Sequence, residues 1–202
     1  MDAPSLAKKV IDFKKTEKYK EVRKRLKDFD FSEKHKDEWF SELCFCLLTA
    51  NATAEGGIRV QKALGKSVCD MPQEQLSKKL KELRYRFPNK RAEYICEAQK
   101  CFNVKSIIQK MPSKQARGWL VDNVKGLGMK EASHFLRNTG RTDVAIIDRH
   151  ILRAMGKEVK SVSKKDYEKF EGGLSKLASL THTSLAELDL ILWAMQTGKV
   201  LK

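Results

Sequence analysis

The sequence predicts an all-α protein. Apolar residues recur at spacings of three and four along almost the whole chain, and the single short β-branched stretch, residues 144–147, is too isolated to build a sheet. Length sets the scale: 202 residues suffice for one domain or two interdependent lobes that bury about 70 % of the unfolded surface. About ten helices are expected.

The elements follow in chain order. Residues 1–15 lack the apolar centre of a secretory signal, and the first 30 residues carry no usable motif. Trp39, Phe40, Leu43, Cys44 and Leu47 then mark one face of a helix, which breaks at residues 51–57. Leu76, Leu80 and Leu83 repeat the pattern after the start signal Met71-Pro72, and Phe87-Pro88-Asn89 ends it. Further stripes occupy residues 94–102, 119–124, 151–155, 170–180 and 185–195. Met111-Pro112-Ser113 and residues 125–128 and 139–143 interrupt them with Gly, Pro or Asn. Residues 157–169, rich in Lys and Ser, read as a solvated helix face or loop. No break is long enough for a flexible linker, and no internal repeat is present.

Charge narrows the function. Lys and Arg number 41 against 26 Asp and Glu, a net charge of +15, which points to a polyanionic partner with nucleic acid first. At 41 % hydrophobic and 8 % aromatic residues the chain is too apolar for a disordered basic tail. No apolar run reaches the roughly 18 residues that cross a bilayer; the longest are 43–54 and 190–198. A protein of the cell interior, without membrane association, is expected. Cys44, Cys46, Cys69, Cys96 and Cys101 include no CxxC pair and have too few histidines beside them for a zinc site. They read as reduced, mostly buried small hydrophobes, and no metal is expected.

Residues 116–138 are the most informative segment. Two amphipathic stretches are joined by Lys125-Gly126-Leu127-Gly128, whose glycines permit positive φ and close backbone approach. This is a helix-hairpin-helix, and the N–H groups at the head of its second helix suit a DNA phosphate; the alternative is a plain α-hairpin with a glycine C-cap. Lys130 falls in the first turn of that second helix, where the dipole disfavours an ammonium ion and a neutral amine can act as a nucleophile. The other reading is a solvated surface lysine. Asp148 follows the apolar run Val144-Ala145-Ile146-Ile147 at the head of another helix. An N-cap explains it, and a cap also fixes a carboxylate rigidly enough for catalysis.

Gly126-Leu127-Gly128-Met129-Lys130 with Asp148 about 18 residues later is similar to the signature of the helix-hairpin-helix superfamily of DNA glycosylases. Leu48-Thr49-Ala50-Asn51-Ala52-Thr53 resembles that superfamily's duplex-entering loop, and Arg86-Phe87-Pro88-Asn89-Lys90-Arg91-Ala92 its second DNA-facing turn. Further matches at Cys44-Phe45-Cys46, Ala54-Glu55-Gly56-Gly57-Ile58-Arg59, Glu131-Ala132-Ser133-His134-Phe135-Leu136-Arg137 and Thr197-Gly198-Lys199-Val200-Leu201-Lys202 extend it. Over residues 35–202 the chain resembles the 8-oxoguanine DNA glycosylase/AP lyases of the second, largely archaeal family.

The resemblance implies a single catalytic unit of two helical lobes, residues 1–50 with 145–202 and residues 51–144, with the active site in the cleft between them. It implies a monomer of the cytoplasm that excises 8-oxoguanine from double-stranded DNA through a Schiff base on Lys130 and cleaves the strand by β-elimination, with Asp148 as the catalytic carboxylate. Asn51 would fill the place of the everted nucleotide, and Arg84 and Arg86 would contact the opposite strand. Phe87 is a wedge or, alternatively, a buried aromatic. Lys125, Gly126 and Gly128 would meet phosphate, with Lys125 the nearest rival nucleophile. Trp193 matches the family's base-stacking tryptophan, with a core position as the alternative, and Lys202 is associated with lesion discrimination. Its α-carboxylate is an acceptor suited to the N7–H that 8-oxoguanine has and guanine lacks. Relatives resembling endonuclease III hold an iron–sulfur cluster on four cysteines near the C-terminus, but no cysteine follows Cys101 here, so no cofactor is expected. The rivals are a sister enzyme for oxidised pyrimidines or alkylated purines, and a non-catalytic DNA-binding protein.

Overall fold

A computed structural model describes residues 3–50 and 52–202. Among these residues there is no strand, and twelve α-helices follow one another. They are α1 (Ala3–Phe13), α2 (Glu17–Asp28), α3 (Lys36–Thr49), α4 (Ala54–Leu64), α5 (Gln73–Glu82), α6 (Pro88–Ala98), α7 (Val104–Ile108), α8 (Ser113–Asn123), α9 (Met129–Asn138), α10 (Arg149–Ala154), α11 (Lys164–Thr181) and α12 (Leu185–Thr197). Two are short, α7 and α10, which is how the total exceeds the expected ten. None of the described helices is long and apolar enough to cross a membrane.

The chain divides into two compact units, residues 1–30 with 140–202 and residues 31–139. The division falls before α3, not near residue 50. Nearly every residue of α3 from Trp39 to Thr49 is buried, so this helix is the centre of the second unit and not the edge of the first. Helices α4, α6, α7 and α9 pack around it. Two buried polar contacts fix the hairpin: Asn138 Nδ2 of α9 donates to Glu42 of α3 at 2.6 Å, and Arg117 of α8 donates to Ser133 of α9 at 3.1 Å. In the first unit α12 plays the central part, buried on most of its surface and packed against α1, α2, α10 and α11.

Residues 157–169 are only partly the solvated stretch that their composition predicts. Ser163 caps α11 by accepting from the Asp166 N–H at 3.1 Å, and Tyr167 one turn later is buried. The five cysteines are free thiols: Cys44, Cys46 and Cys101 are buried, Cys69 and Cys96 half-buried. Burial pushes the Cys44 thiol well up, away from the thiolate form.

Candidate active site

The connection between α8 and α9 is the predicted hairpin, but its two glycines have different roles. Gly126 has φ +93°, which an L side chain rarely adopts, and a Cβ there would lie 2.4 Å from Cδ2 of Tyr94. Gly128 is extended at φ −96°, ψ −176°, a conformation open to any residue, and a Cβ there would make ordinary contact with Glu131. The expectation of two positive-φ glycines therefore holds only for Gly126. At Gly128 the absence of a side chain keeps the first N–H groups of α9 open, and a helix has no internal partners for these. Gly126→Ala adds both backbone strain and overlap with a ring, and is expected to lower stability by about 1–3 kcal/mol. Thermal denaturation measures this, and Tyr94→Leu in the same chain should restore the steric part.

Lys125 lies between two carboxylates of α6. Its ammonium lies 2.7 Å from Glu97 and 3.0 Å from Glu93, both on α6, and 6.0 Å from the Tyr94 ring centre. The hydrogen bonds that it donates to Glu97 and then Glu93 push its pKa up. It clamps the hairpin to α6, and the two carboxylates favour its charged form.

Lys130 is the second residue of α9. Its side chain is 34 % exposed, so a ligand can reach it, and its amine lies 2.9 Å from Oε1 of the more buried Glu131. The reading of Lys130 from the helix dipole alone omitted this counter-ion, although a Lys-Glu pair in a first turn is visible in the sequence. In the resting state the amine is positioned by a carboxylate.

Asp148 belongs to the first unit and caps α10. Its Oδ1 accepts from the N–H groups of His150 and Ile151 at 2.8 and 2.9 Å. Both cap bonds fall on one oxygen, which fixes the carboxyl plane while Oδ2 takes no part in the cap. Trp193, half-buried on α12, meets His150 edge-to-face at 6.3 Å between ring centres, so it lies beside the helix that Asp148 caps. It is not a core tryptophan. Lys202, half-buried, lies outside any helix, four residues past Gly198, the left-handed cap of α12.

The second DNA-facing turn lies between α5 and α6. Arg84 and Phe87 both have positive φ, 51° and 59°, in a region where non-glycine residues are uncommon and strain of about 1–3 kcal/mol each is typical. Tyr85 between them anchors the turn: its ring is buried and its hydroxyl donates to the Leu48 carbonyl. Arg91 of α6 donates to the Ala50 carbonyl at 2.5 Å, so this turn and the end of α3 are braced together. Phe87 is 51 % exposed, with the Arg86 guanidinium 4.6 Å from its ring centre. That excludes the buried-aromatic reading, and a strained, exposed aromatic on a braced turn suits insertion into a stack. Asn51 lies outside the described residues. Its neighbours are ordered around it, with the Ala52 N–H on the Thr49 carbonyl at 3.1 Å and Thr53 capping α4. Tyr94, Glu93, Glu97 and Tyr85 had no local signal in the sequence, because each acts through a partner distant in the chain.

Comparison with known proteins agrees with this geometry. A family model described as 8-oxoguanine DNA glycosylase matches residues 22–183. A protein of Methanocaldococcus jannaschii named 8-oxoguanine DNA glycosylase/AP lyase is 48 % identical over 205 residues, 98 % of this chain and 99 % of its own. The crystal structure of the 8-oxoguanine glycosylase/lyase from that organism, in complex with 15mer DNA containing 8-oxoguanine, superposes with a TM-score of 0.95 at 47 % identity. It covers 98 % of this chain and 100 % of the other. The structure of the 8-oxoguanine DNA glycosylase of Thermotoga maritima gives a TM-score of 0.93 at 42 % identity, over 100 % of both chains.

Proposed function

The chain belongs to the 8-oxoguanine DNA glycosylase family, and on that premise we propose how its own residues divide the reaction. The protein is an 8-oxoguanine DNA glycosylase/AP lyase that acts on DNA containing the lesion. A stacked base is out of reach, so the nucleotide is first rotated out of the duplex, at a cost of a few kcal/mol. Phe87 enters the neighbouring step as a wedge, Arg84 and Arg86 hold the opposite strand, and Asn51 satisfies the base left without a partner. Gly126 and Gly128 let the hairpin backbone meet a phosphate.

Lys130 then attacks C1′. As its neutral amine forms the Nζ–C1′ bond, the bond from C1′ to the base breaks and the electron pair leaves with the base, which takes up a proton. Opening of the sugar ring gives the protonated Schiff base. Loss of a C2′ proton then expels the 3′ phosphate, which is strand cleavage. Asp148 accepts the proton that Lys130 gives up and stabilises the positive sugar in the transition state. The observation that carries this assignment is the placement of Lys130: a reachable amine in the first turn of α9, directly behind a hairpin whose N–H groups are open. Side chains supply all of this chemistry, so no cofactor is called for, and we assign the enzyme to the cytoplasm as a monomer.

Borohydride reduction during turnover tests the assignment. The covalent adduct with an 8-oxoguanine duplex should map by peptide mass spectrometry to Lys130, and an adduct on any other lysine overturns it. Trp193 stacks on the everted base, and Lys202 meets the edge of the base that distinguishes the lesion. Lys202→Ala should therefore reduce the preference for 8-oxoguanine over guanine, or abolish excision. An unchanged ratio of the two excision rates counts against Lys202.

A further inference from the structure

Residues 144–147 run through the interior of the first unit outside any helix, with no strand beside them among the described residues. Buried backbone N–H and C=O groups need partners, which a sheet ordinarily supplies. Two side chains of α11, one turn apart, take its place. The Tyr167 hydroxyl donates to the Ala145 carbonyl at 2.8 Å and accepts from the Ile147 N–H at 3.1 Å. A Glu171 carboxylate oxygen accepts from the Ala145 N–H at 3.2 Å. Tyr167 is 2 % exposed and Glu171 4 %. The next residue in the chain is Asp148, whose own N–H bonds the Ile146 carbonyl at 3.0 Å.

We infer that Tyr167 and Glu171 are positioning residues for Asp148, a side-chain clamp that sets the carboxylate by fixing the backbone leading into it. The inference rests on the role given to Asp148 above. The helix cap fixes the carboxylate with respect to α10; the clamp fixes the same residue from the N-terminal side, with respect to α11. Misplacing a catalytic group by about 1 Å slows a reaction about 10²-fold. Tyr167→Phe keeps the ring and deletes both hydroxyl bonds, and should slow base excision by about 10- to 100-fold.

The experiment compares Tyr167→Phe, Glu171→Ala, Glu171→Gln and Asp148→Asn with the parent protein. It measures single-turnover excision from an 8-oxoguanine duplex, the dissociation constant for a duplex with an excision-resistant analogue of the lesion, and borohydride trapping on a preformed abasic site. Trapping on an open abasic aldehyde involves no departing base and no positive sugar, so it does not draw on the transition-state stabilisation assigned to Asp148, and over the time of trapping the Lys130 amine can lose its proton to solvent. Tyr167→Phe and Glu171→Ala should lose excision while affinity and trapping stay within about threefold, and Glu171→Gln, which keeps an acceptor oxygen, should excise nearly as the parent does. Parental excision rates in both Tyr167→Phe and Glu171→Ala overturn the clamp, as does a parallel loss of all three readouts. If Tyr167→Phe does not fold, Glu171→Ala decides. Parental excision by Asp148→Asn would sink the role of Asp148 itself. A slow Asp148→Asn beside unimpaired clamp variants sinks only the clamp.

Discussion

Lys130→Gln should leave a folded protein that binds 8-oxoguanine DNA and forms no borohydride adduct. The amide keeps most of the length of the side chain and removes the amine that forms the Schiff base. The ion pair with Glu131 that this substitution removes is partly exposed, with Lys130 34 % accessible, and such pairs contribute about 0–1 kcal/mol. Stability is therefore nearly unchanged, and any loss of activity is chemical. Removing a nucleophile that acts with its partner as a unit typically slows the reaction by 10⁴-fold or more, and single-turnover excision should fall by about that factor. Lys125, the nearest rival, sits between Glu97 and Glu93, which favour its charged form. Residual trapping in Lys130→Gln would place the nucleophile elsewhere, whereas loss of binding along with trapping would make Lys130 a phosphate-binding residue.

The helices and the hairpin were legible because each is a local pattern. The stripe from Trp39 to Leu47, the glycines at 126 and 128 and the apolar run before Asp148 declare themselves within a few residues. The unit boundary was not legible. α3 is buried nearly all round, so its sequence carries no polar face to show which lobe it belongs to. Phe87 was ambiguous for a different reason: its positive φ runs against what an aromatic ordinarily adopts, and its turn is braced by Tyr85 and Arg91, tied to Leu48 and Ala50 far back in the chain. Glu93 and Glu97, which neutralise Lys125, and Tyr94, which demands a glycine at 126, sit a full helix away from their partners in sequence. Tyr167 lay hidden in a lysine-rich stretch whose composition signals solvent, and its function is set by two backbone groups of another segment. Pattern thus marks the candidate residues, while the partners that they meet in the fold emerge only from tertiary structure.

Asp148 caps a helix, and the function proposed above gives it a chemical task as well; two substitutions separate the two. Asparagine is as good an N-cap as aspartate, so Asp148→Asn keeps an oxygen for the His150 and Ile151 N–H groups and should melt within a few degrees of the parent. It cannot serve as the base for Lys130 or balance a positive sugar, and excision should fall by about 10²- to 10⁴-fold. Asp148→Ala should show the same chemical loss and a further destabilisation of about 0.5–2 kcal/mol from the vacated cap. The cap weighs heavily because α10 is only six residues long, too short to hold itself. The comparison of the two variants is decisive in either direction. If Asp148→Asn excises 8-oxoguanine at the parental rate while Asp148→Ala does not, the carboxylate serves the helix alone and some other group takes the proton from Lys130. If both lose excision and only the alanine loses stability, the same carboxylate fixes α10 and drives the chemistry.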